Sequence, residues 1–368
     1  MRKLTLLLTQ VVFAFSFGIG TAMANETTTK RVPAEWEEQD ATWLQWPGSY
    51  EKSYEEAFAQ ISKVIVEYQK LHILVPDEDI EYDARRALTE AGANPDHQNI
   101  TWHFVPTDSA WMRDNGPTYV IENGEMRLQN WEFDAWGGAW GPEVTYDNDN
   151  EVPYYLGEYL NLPVDHVDIV HERGNLEFNG VDTVLLNWST LGDPRRNPGY
   201  TKEEAIADLK HQFGVSKVIM TEGVVEGDLT NGHIDGIARF INETTVVIPE
   251  CTEYSICQSN DATSKIYDKT AKLVEEEGFT VIRDPIEGTG SYKGEEFDAV
   301  YMNWLLGNGF VIAVGFGNPE VDTLAKERLE SYFPGRDVYI IEMLKSWYAG
   351  GGVHCHTNDQ PAMSVIKG

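Results

Sequence analysis

Asp114-Asn115-Gly116-Pro117-Thr118-Tyr119-Val120-Ile121-Glu122-Asn123-Gly124-Glu125-Met126 opens on a polar residue, runs on as a strand and reverses at Asn-Gly. Asn-Gly is a strong hairpin signal, because both turn residues tolerate positive φ. The same order of parts recurs along the chain. Glu172-Arg173-Gly174 precedes a strand at 175–178, a turn at Asn179-Gly180 and a strand at 183–186. His233-Ile234-Asp235-Gly236 precedes strands at 237–241 and 244–248, joined by Asn242-Glu243. Asn303 lies in the strand 301–306, which turns at Gly307-Asn308-Gly309 into 310–314. A fifth unit would join the strand at 41–46 to the region of Cys355. The lead residues Asp114, Glu172, His233, Asn303 and Cys355 follow one another at intervals of 52 to 70 residues. Helical patterns fill gaps at 54–71, 201–213, 265–277 and 320–333. Similar α/β units at a roughly constant period suggest radial repetition, like blades around an axis. Such a fold brings every hairpin start to one central mouth. The plainer alternative is an ordinary α/β domain whose strands fall at this spacing by chance. A polar residue at each start argues against chance.

The composition permits a large core. The chain has 368 residues, 42% of them hydrophobic and 11% aromatic, which excludes a disordered chain. No low-complexity linker divides it, so one domain is expected over 25–368. Residues 1–24 read as a signal peptide. Arg2 and Lys3 form a basic start, an apolar stretch follows, and Ala22-Met23-Ala24 is a small-x-small cleavage site. An uncleaved anchor is the alternative. Gln10 and the glycines favour cleavage near Ala24, a periplasmic or secreted protein and no stable membrane association afterwards. The formal charge is 28 − 60 = −32. Such a surface repels nucleic acid and anionic lipid and favours cationic ligands. Cys251 and Cys257 could pair in an oxidising compartment, which leaves Cys355 unmatched. His354, Cys355 and His356 are too compact to share one metal ion, so no metal is expected.

Gly350-Gly351-Gly352-Val353-His354-Cys355 carries the chemistry. Glycines let a backbone approach a ligand closely. A cysteine delivered this way reads as an exposed nucleophile, against the commoner case of a small buried hydrophobe. If the hairpin starts converge, Cys355 meets Asp114, Glu172, His233, Asp235 and Asn303. Crowded carboxylates repel unless a cation sits among them. A planar guanidinium suits them, because carboxylates accept its N–H fork in pairs. Its carbon is then open to the Cys355 thiolate, with His233 protonating departing ammonia. A thiouronium adduct remains, and His233 activates the water that displaces the thiol. No cofactor is needed. Each residue also has a plainer reading. Asp114 can cap a turn, Glu172 can pair with Arg173, and a lone His233 is usually a satisfied loop residue. Asn303 can be a strand-end hydrogen bonder. Trp111 can be core, although its ring could stack on a guanidinium. His233 and Asp235, two apart in an expected strand, would face the same side.

Together these residues resemble the agmatine deiminase family, in the Porphyromonas-type peptidylarginine deiminase group of the guanidine-modifying penteins. Val32-Pro33-Ala34-Glu35-Trp36-Glu37 and Ala41-Thr42-Trp43-Leu44-Gln45-Trp46-Pro47 look like the family's opening. Trp111-Met112-Arg113-Asp114-Asn115-Gly116-Pro117, Trp136-Gly137-Gly138, Arg196-Asn197-Pro198, Gly232-His233-Ile234-Asp235 and Gly350–Cys355 follow in the family's order. The resemblance implies a five-bladed α/β propeller, the pentein fold. It implies hydrolysis of agmatine to N-carbamoylputrescine and ammonia. Asp114, His233, Asp235 and Cys355 would be catalytic, and Glu172, Trp111, Asn303 and Gly352 would bind substrate. The chain departs from the family at Arg173, where a glycine is common, and at Ala139, where a lysine is common.

The expected partner is a small cationic guanidino compound; a homodimer stays open. Peptidylarginine is the runner-up substrate. Between Arg127 and Arg173 the chain has no Lys or Arg, and instead carries Glu132, Asp134, Glu143, Asp147, Asp149 and Glu151. An acidic rim there would suit an amine tail over a carboxylate, with Arg113 and Arg173 as candidate carboxylate readers. A non-catalytic guanidine-binding protein would lack the nucleophile. A cysteine protease built on Cys355 and His233 has no use for three carboxylates around the thiol.

Overall fold

The computed structural model describes residues 29–367. The signal-peptide reading of 1–24 lies outside the described residues. Five small sheets share one plan. An antiparallel pair of strands comes first, then a helix, then a strand that returns parallel to the second. A parallel return needs a crossover, and a helix supplies it. The first such sheet has Thr118–Glu122, Glu125–Glu132, the helix Val152–Leu160 and the strand Val164–Val170. Asn123 and Gly124 take φ of 53° and 78°, the conformation a tight hairpin requires. The second has Glu177–Phe178, Thr183–Asn187, Lys202–Phe213 and Lys217–Thr221. The third has Arg239–Asn242, Thr245–Glu250, Ala262–Glu276 and Thr280–Pro285. The fourth has Leu305–Gly307, Phe310–Gly315, Pro319–Tyr332 and Asp337–Glu342.

The fifth sheet joins the two ends of the described chain. Thr357–Pro361 pairs antiparallel with Gln39–Gln45, and Glu55–Ile65 leads to the parallel strand Lys70–Val75. A further helix, Glu78–Glu90, and strand, Ile100–Phe104, extend it. The hairpin Thr289–Tyr292/Glu295–Asp298 stands apart as a two-stranded sheet. Among the described residues, no helix is long and apolar enough to cross a membrane.

Local sequence explains the elements. Phe310–Gly315 is buried throughout and reads as a continuous apolar run, as a strand covered on both faces does. Lys202–Phe213 starts at a capping box between Thr201 and Glu204 and ends at Gly214, φ 72°. It buries Ala205, Leu209 and Phe213, which lie on one helical face. Glu78–Glu90 and Val152–Leu160 were not foreseen. The first had a signal: Asp77 caps the Ile80 N–H, and Ala84, Ala87 and Leu88 form the buried stripe. The strand expected across His233–Asp235 is instead a 3₁₀ turn, Ile234–Gly236. The main core cluster takes Leu44, Phe58, Phe240, Val246, Ile312 and Val314 from three of these sheets, and it includes Cys355.

The fifth sheet hides a histidine pair. His72 stacks on Trp43 with ring centroids 4.0 Å apart, and its Nδ1 meets His103 Nε2 at 2.8 Å. Burial, with His103 beside it, pushes the His72 pKa down to about 3. The folded value lies below the unfolded one, so His72 supports the fold above pH 6.5 and loses that support as pH falls toward 3. The stability lost should approach about 1.4 kcal/mol per pH unit below the ordinary histidine pKa. Urea unfolding of the protein and of His72→Gln between pH 7 and pH 4.5 checks this. The stability difference between them should shrink as pH falls; a pH-independent difference would contradict a buried neutral His72.

Candidate active site

Each lead residue sits just ahead of the first strand of its sheet. Asp114 closes the short turn Met112–Asn115, and Glu172 precedes the turn Arg173–Asn175. His233 precedes Ile234–Gly236, while Asn303 and Cys355 stand two residues before Leu305 and Thr357. The sheet plan therefore delivers them to one place. His233 Nδ1 lies 3.7 Å from Asp114 Oδ1, and its Nε2 lies 3.5 Å from Glu172 Oε2. The Cys355 Sγ lies 3.0 Å from Asn303 Nδ2 and 3.5 Å from Asp235 Oδ2.

Asn303 brackets the thiol. Its Nδ2 donates to both Sγ and Asp235 Oδ2, the latter at 3.1 Å. Its Oδ1 accepts from the backbone N–H of Gly352 and His354 at 3.1 Å and of Cys355 at 3.4 Å. The glycines are needed for this approach. A Cβ on Gly351 would lie 2.6 Å from the Cys355 sulfur, and one on Gly352 would lie 2.1 Å from Val314 Cγ2 and 2.9 Å from Asn303 Oδ1. Gly174 is similar: its Cβ would meet His233 Nδ1 at 2.6 Å and Asp114 Oδ1 at 2.7 Å.

Every carboxylate is tied to a neighbouring side chain. Trp136 Nε1 donates to Asp114 Oδ2 at 2.8 Å. Arg196 holds Glu172 through Nε at 2.8 and 3.2 Å, and both side chains are fully buried. His354 bridges Asp235 at 2.8 Å and Glu35 at 3.1 Å. Glu35 in turn binds Arg239, which also holds Glu177. Trp136, Arg196 and His354 were not read as site residues. Trp136 and Arg196 lay within quoted motifs, but nothing local paired them with an acid.

Several expectations change. Cys355 is buried, only 4% exposed, and lies at the foot of a cavity instead of on the surface. Gly352 and Glu172 line neither of the two cavities that reach Cys355. Gly352 positions Asn303, and Glu172 stands behind His233. Arg113 and Arg173 are both buried against Asp359, Arg113 at 2.7 Å, and so are spent as carboxylate readers. Half of the acidic rim is structural. Asp149 accepts from Ser109 and Gln45, Asp134 caps the Gly137 N–H, and Glu132 holds Asn150.

The first cavity, about 350 Å³, is lined by Cys355, Asp114, Trp111, Trp136, Tyr54 and Glu51, among others. The second, about 370 Å³, reaches Cys355 beside His233, Asp235 and Asn303. Among the described residues, no Lys or Arg lines either. Cys251 and Cys257 form a disulfide, so Cys355 is the free thiol among the described residues.

Residues 31–361 match the family model described as Porphyromonas-type peptidyl-arginine deiminase. The chain belongs to this family. A Streptococcus mutans protein provisionally named agmatine deiminase is 31% identical over 90% of this chain and 96% of its own. The agmatine deiminase of Pseudomonas savastanoi pv. phaseolicola is 30% identical over 90% of this chain and 95% of its own. Among solved structures, the agmatine deiminase of Enterococcus faecalis superposes with a TM-score of 0.78 at 27% identity. That match covers 91% of this chain and 96% of that one.

Electrostatics set the resting state of the family site in this chain. Burial, then Asp235 and Asp114, push the Cys355 thiol well above its usual range, and Asn303 only partly offsets them. Burial opposes charge on His233, but Asp114 and Glu172 outweigh it and raise its pKa to about 9. Burial lifts Asp114 to about 6, while Arg196 overcomes burial and holds Glu172 at about 2. The centre thus pairs a neutral thiol with an imidazolium at neutral pH. Iodoacetamide alkylation of Cys355 in the free protein should be slow at pH 7 and still rising at pH 9. A rate that levels off below pH 8 would show a resting thiolate and contradict this assignment.

Proposed function

We propose that this chain is a guanidine deiminase that converts agmatine to N-carbamoylputrescine and ammonia through a thiouronium intermediate on Cys355. One observation carries the reading most. The free thiol lies within 3.5 Å of one carboxylate, beside two cavities whose linings, among the described residues, include acids and no Lys or Arg. Beside the thiol, Asp114 and Asp235 face the single imidazolium of His233, and a guanidinium adds positive charge in a planar form that carboxylates can grip.

The steps follow from the groups. The guanidinium enters between Asp114 and Asp235 and reverses the local field, so the Cys355 thiol releases its proton to solvent water and becomes a thiolate. The thiolate attacks the guanidinium carbon, which forms the S–C bond. The C–N bond to one terminal nitrogen breaks, and His233 imidazolium supplies the proton with which it departs as ammonia. His233, now neutral, takes a proton from water as the water attacks the same carbon. The S–C bond then breaks, leaving a ureido product and regenerating the thiol. Glu172, held by Arg196, keeps His233 charged for the first step. Asn303 holds Sγ beside Asp235.

The five sheets of common plan, each led by one site residue, support a five-bladed arrangement around this centre. A single catalytic domain over 25–368 and export to the periplasm or exterior complete the reading. The Cys251–Cys257 disulfide fits an oxidising compartment. Peptidylarginine is less favoured. A peptide ending in arginine carries a carboxylate, and both arginines offered as its readers are bound to Asp359.

Ureido product should be assayed from agmatine, free arginine and a peptide with C-terminal arginine. Agmatine should have the highest kcat/KM; faster turnover of the peptide would overturn the assignment. Cys355→Ser should abolish turnover of all three, and activity retained in that variant would overturn the mechanism.

A further inference from the structure

The cavity above Cys355 holds one carboxylate besides Asp114. Glu51 lines it in the 3₁₀ turn Ser49–Tyr54, which follows the strand Gln39–Gln45. That strand pairs with Thr357–Pro361, the strand just after Cys355, so the turn stands beside the thiol strap. Aromatic contacts hold it there. Tyr54 packs against His356 at 5.9 Å and Trp111 at 6.5 Å, and Trp111 lies 4.2 Å from His356.

Glu51 is only 2% exposed, and its Oε1 has no hydrogen-bond partner. It makes no salt bridge among the described residues. The neighbouring Lys52 is paired with Asp83 instead. A buried carboxyl group with an unsatisfied oxygen is costly unless something else occupies the site. The walls around it are Tyr50, Tyr54, Trp111 and Trp140, which suit a cationic, methylene-rich chain.

We infer that Glu51 is the anionic receptor for the distal amine of the substrate, and that it fixes the preference for a guanidine carrying a second cation at its far end. This rests on the deiminase reading of the Cys355 centre and adds the group that reads the other end. Burial, with Asp149 nearby, raises the Glu51 pKa to about 8, so the free site can hold it as the neutral acid. An arriving ammonium supplies the charge that ionises it. The second cavity offers no equivalent receptor. Its Glu226, Glu295 and Glu296 are exposed, where a charge contact is weak. Its Asp228 and Asp298 are spent on backbone N–H groups of Thr230, Gly232, Ile256 and Cys257.

The test compares agmatine with 1-butylguanidine, which keeps the guanidinium and the four-carbon chain and lacks the amine. The readout is the ratio of kcat/KM for the two substrates, in the protein and in Glu51→Gln and Glu51→Asp. Glu51→Gln should lower the agmatine-to-butylguanidine ratio roughly 10- to 100-fold, mainly through agmatine KM. Glu51→Asp should restore part of it. An unchanged ratio in Glu51→Gln, or an equal loss on both substrates, would overturn the proposal. Failure of the unsubstituted protein to hydrolyse any guanidine would instead remove the deiminase reading beneath it.

Discussion

Three carboxylates buried around one imidazole set the terms for the rest of this structure. Asp114, Glu172 and Asp235 are each about as buried as core residues, and His233 stands among them. Such charges survive burial only when each is paired, since leaving one uncompensated costs about 3–5 kcal/mol. Each acid has its own partner. Trp136, Arg196 and His354 each hold one acid, and Trp136 also lines the cavity that reaches Cys355. Beside the thiol, Asp114 and Asp235 still face the single imidazolium of His233. The network is stable enough to fold and still unsatisfied where a substrate must bind. Asp114 Oδ1 and both His233 nitrogens are buried without a hydrogen-bond partner.

The same field restrains the nucleophile. A thiol beside Asp235 and Asp114 stays protonated until a cation arrives. Binding and activation are then one event in the proposed reaction, and the free protein does not carry a reactive thiolate. The glycine strap serves this arrangement by geometry. Gly351 and Gly352 leave room for the sulfur and for Asn303, whose amide spans the thiol, Asp235 and three backbone N–H groups.

Much of this was legible in the sequence because it is local. Asn-Gly turns and alternating strands are short-range signals, and the regular spacing of polar leads pointed to their convergence. Asp114, His233, Asp235, Asn303 and Cys355 do come together. What stands behind them was not legible. Arg196 reaches Glu172 across 24 residues and His354 reaches Asp235 across 119. No periodicity encodes such pairings. The neighbours Glu172 and Arg173 looked like a pair, yet Arg173 turns to Asp359, 186 residues away. The acidic stretch 132–151 was assigned to the pocket rim by position alone, and Glu132, Asp134 and Asp149 serve turns, caps and loop contacts instead. Glu51 carried no signal at all, because its meaning depends on a cavity wall that only the assembled fifth sheet creates.

The central claim is covalent attack by Cys355 on a guanidinium carbon held among these acids. Acid quenching during steady-state agmatine turnover, followed by mass analysis of the peptide containing Cys355, tests it most directly. The account predicts that peptide with an added mass of agmatine less one ammonia, absent from Cys355→Ser. Agmatine turnover with no adduct at any quench time, or with an adduct on another residue, would contradict it.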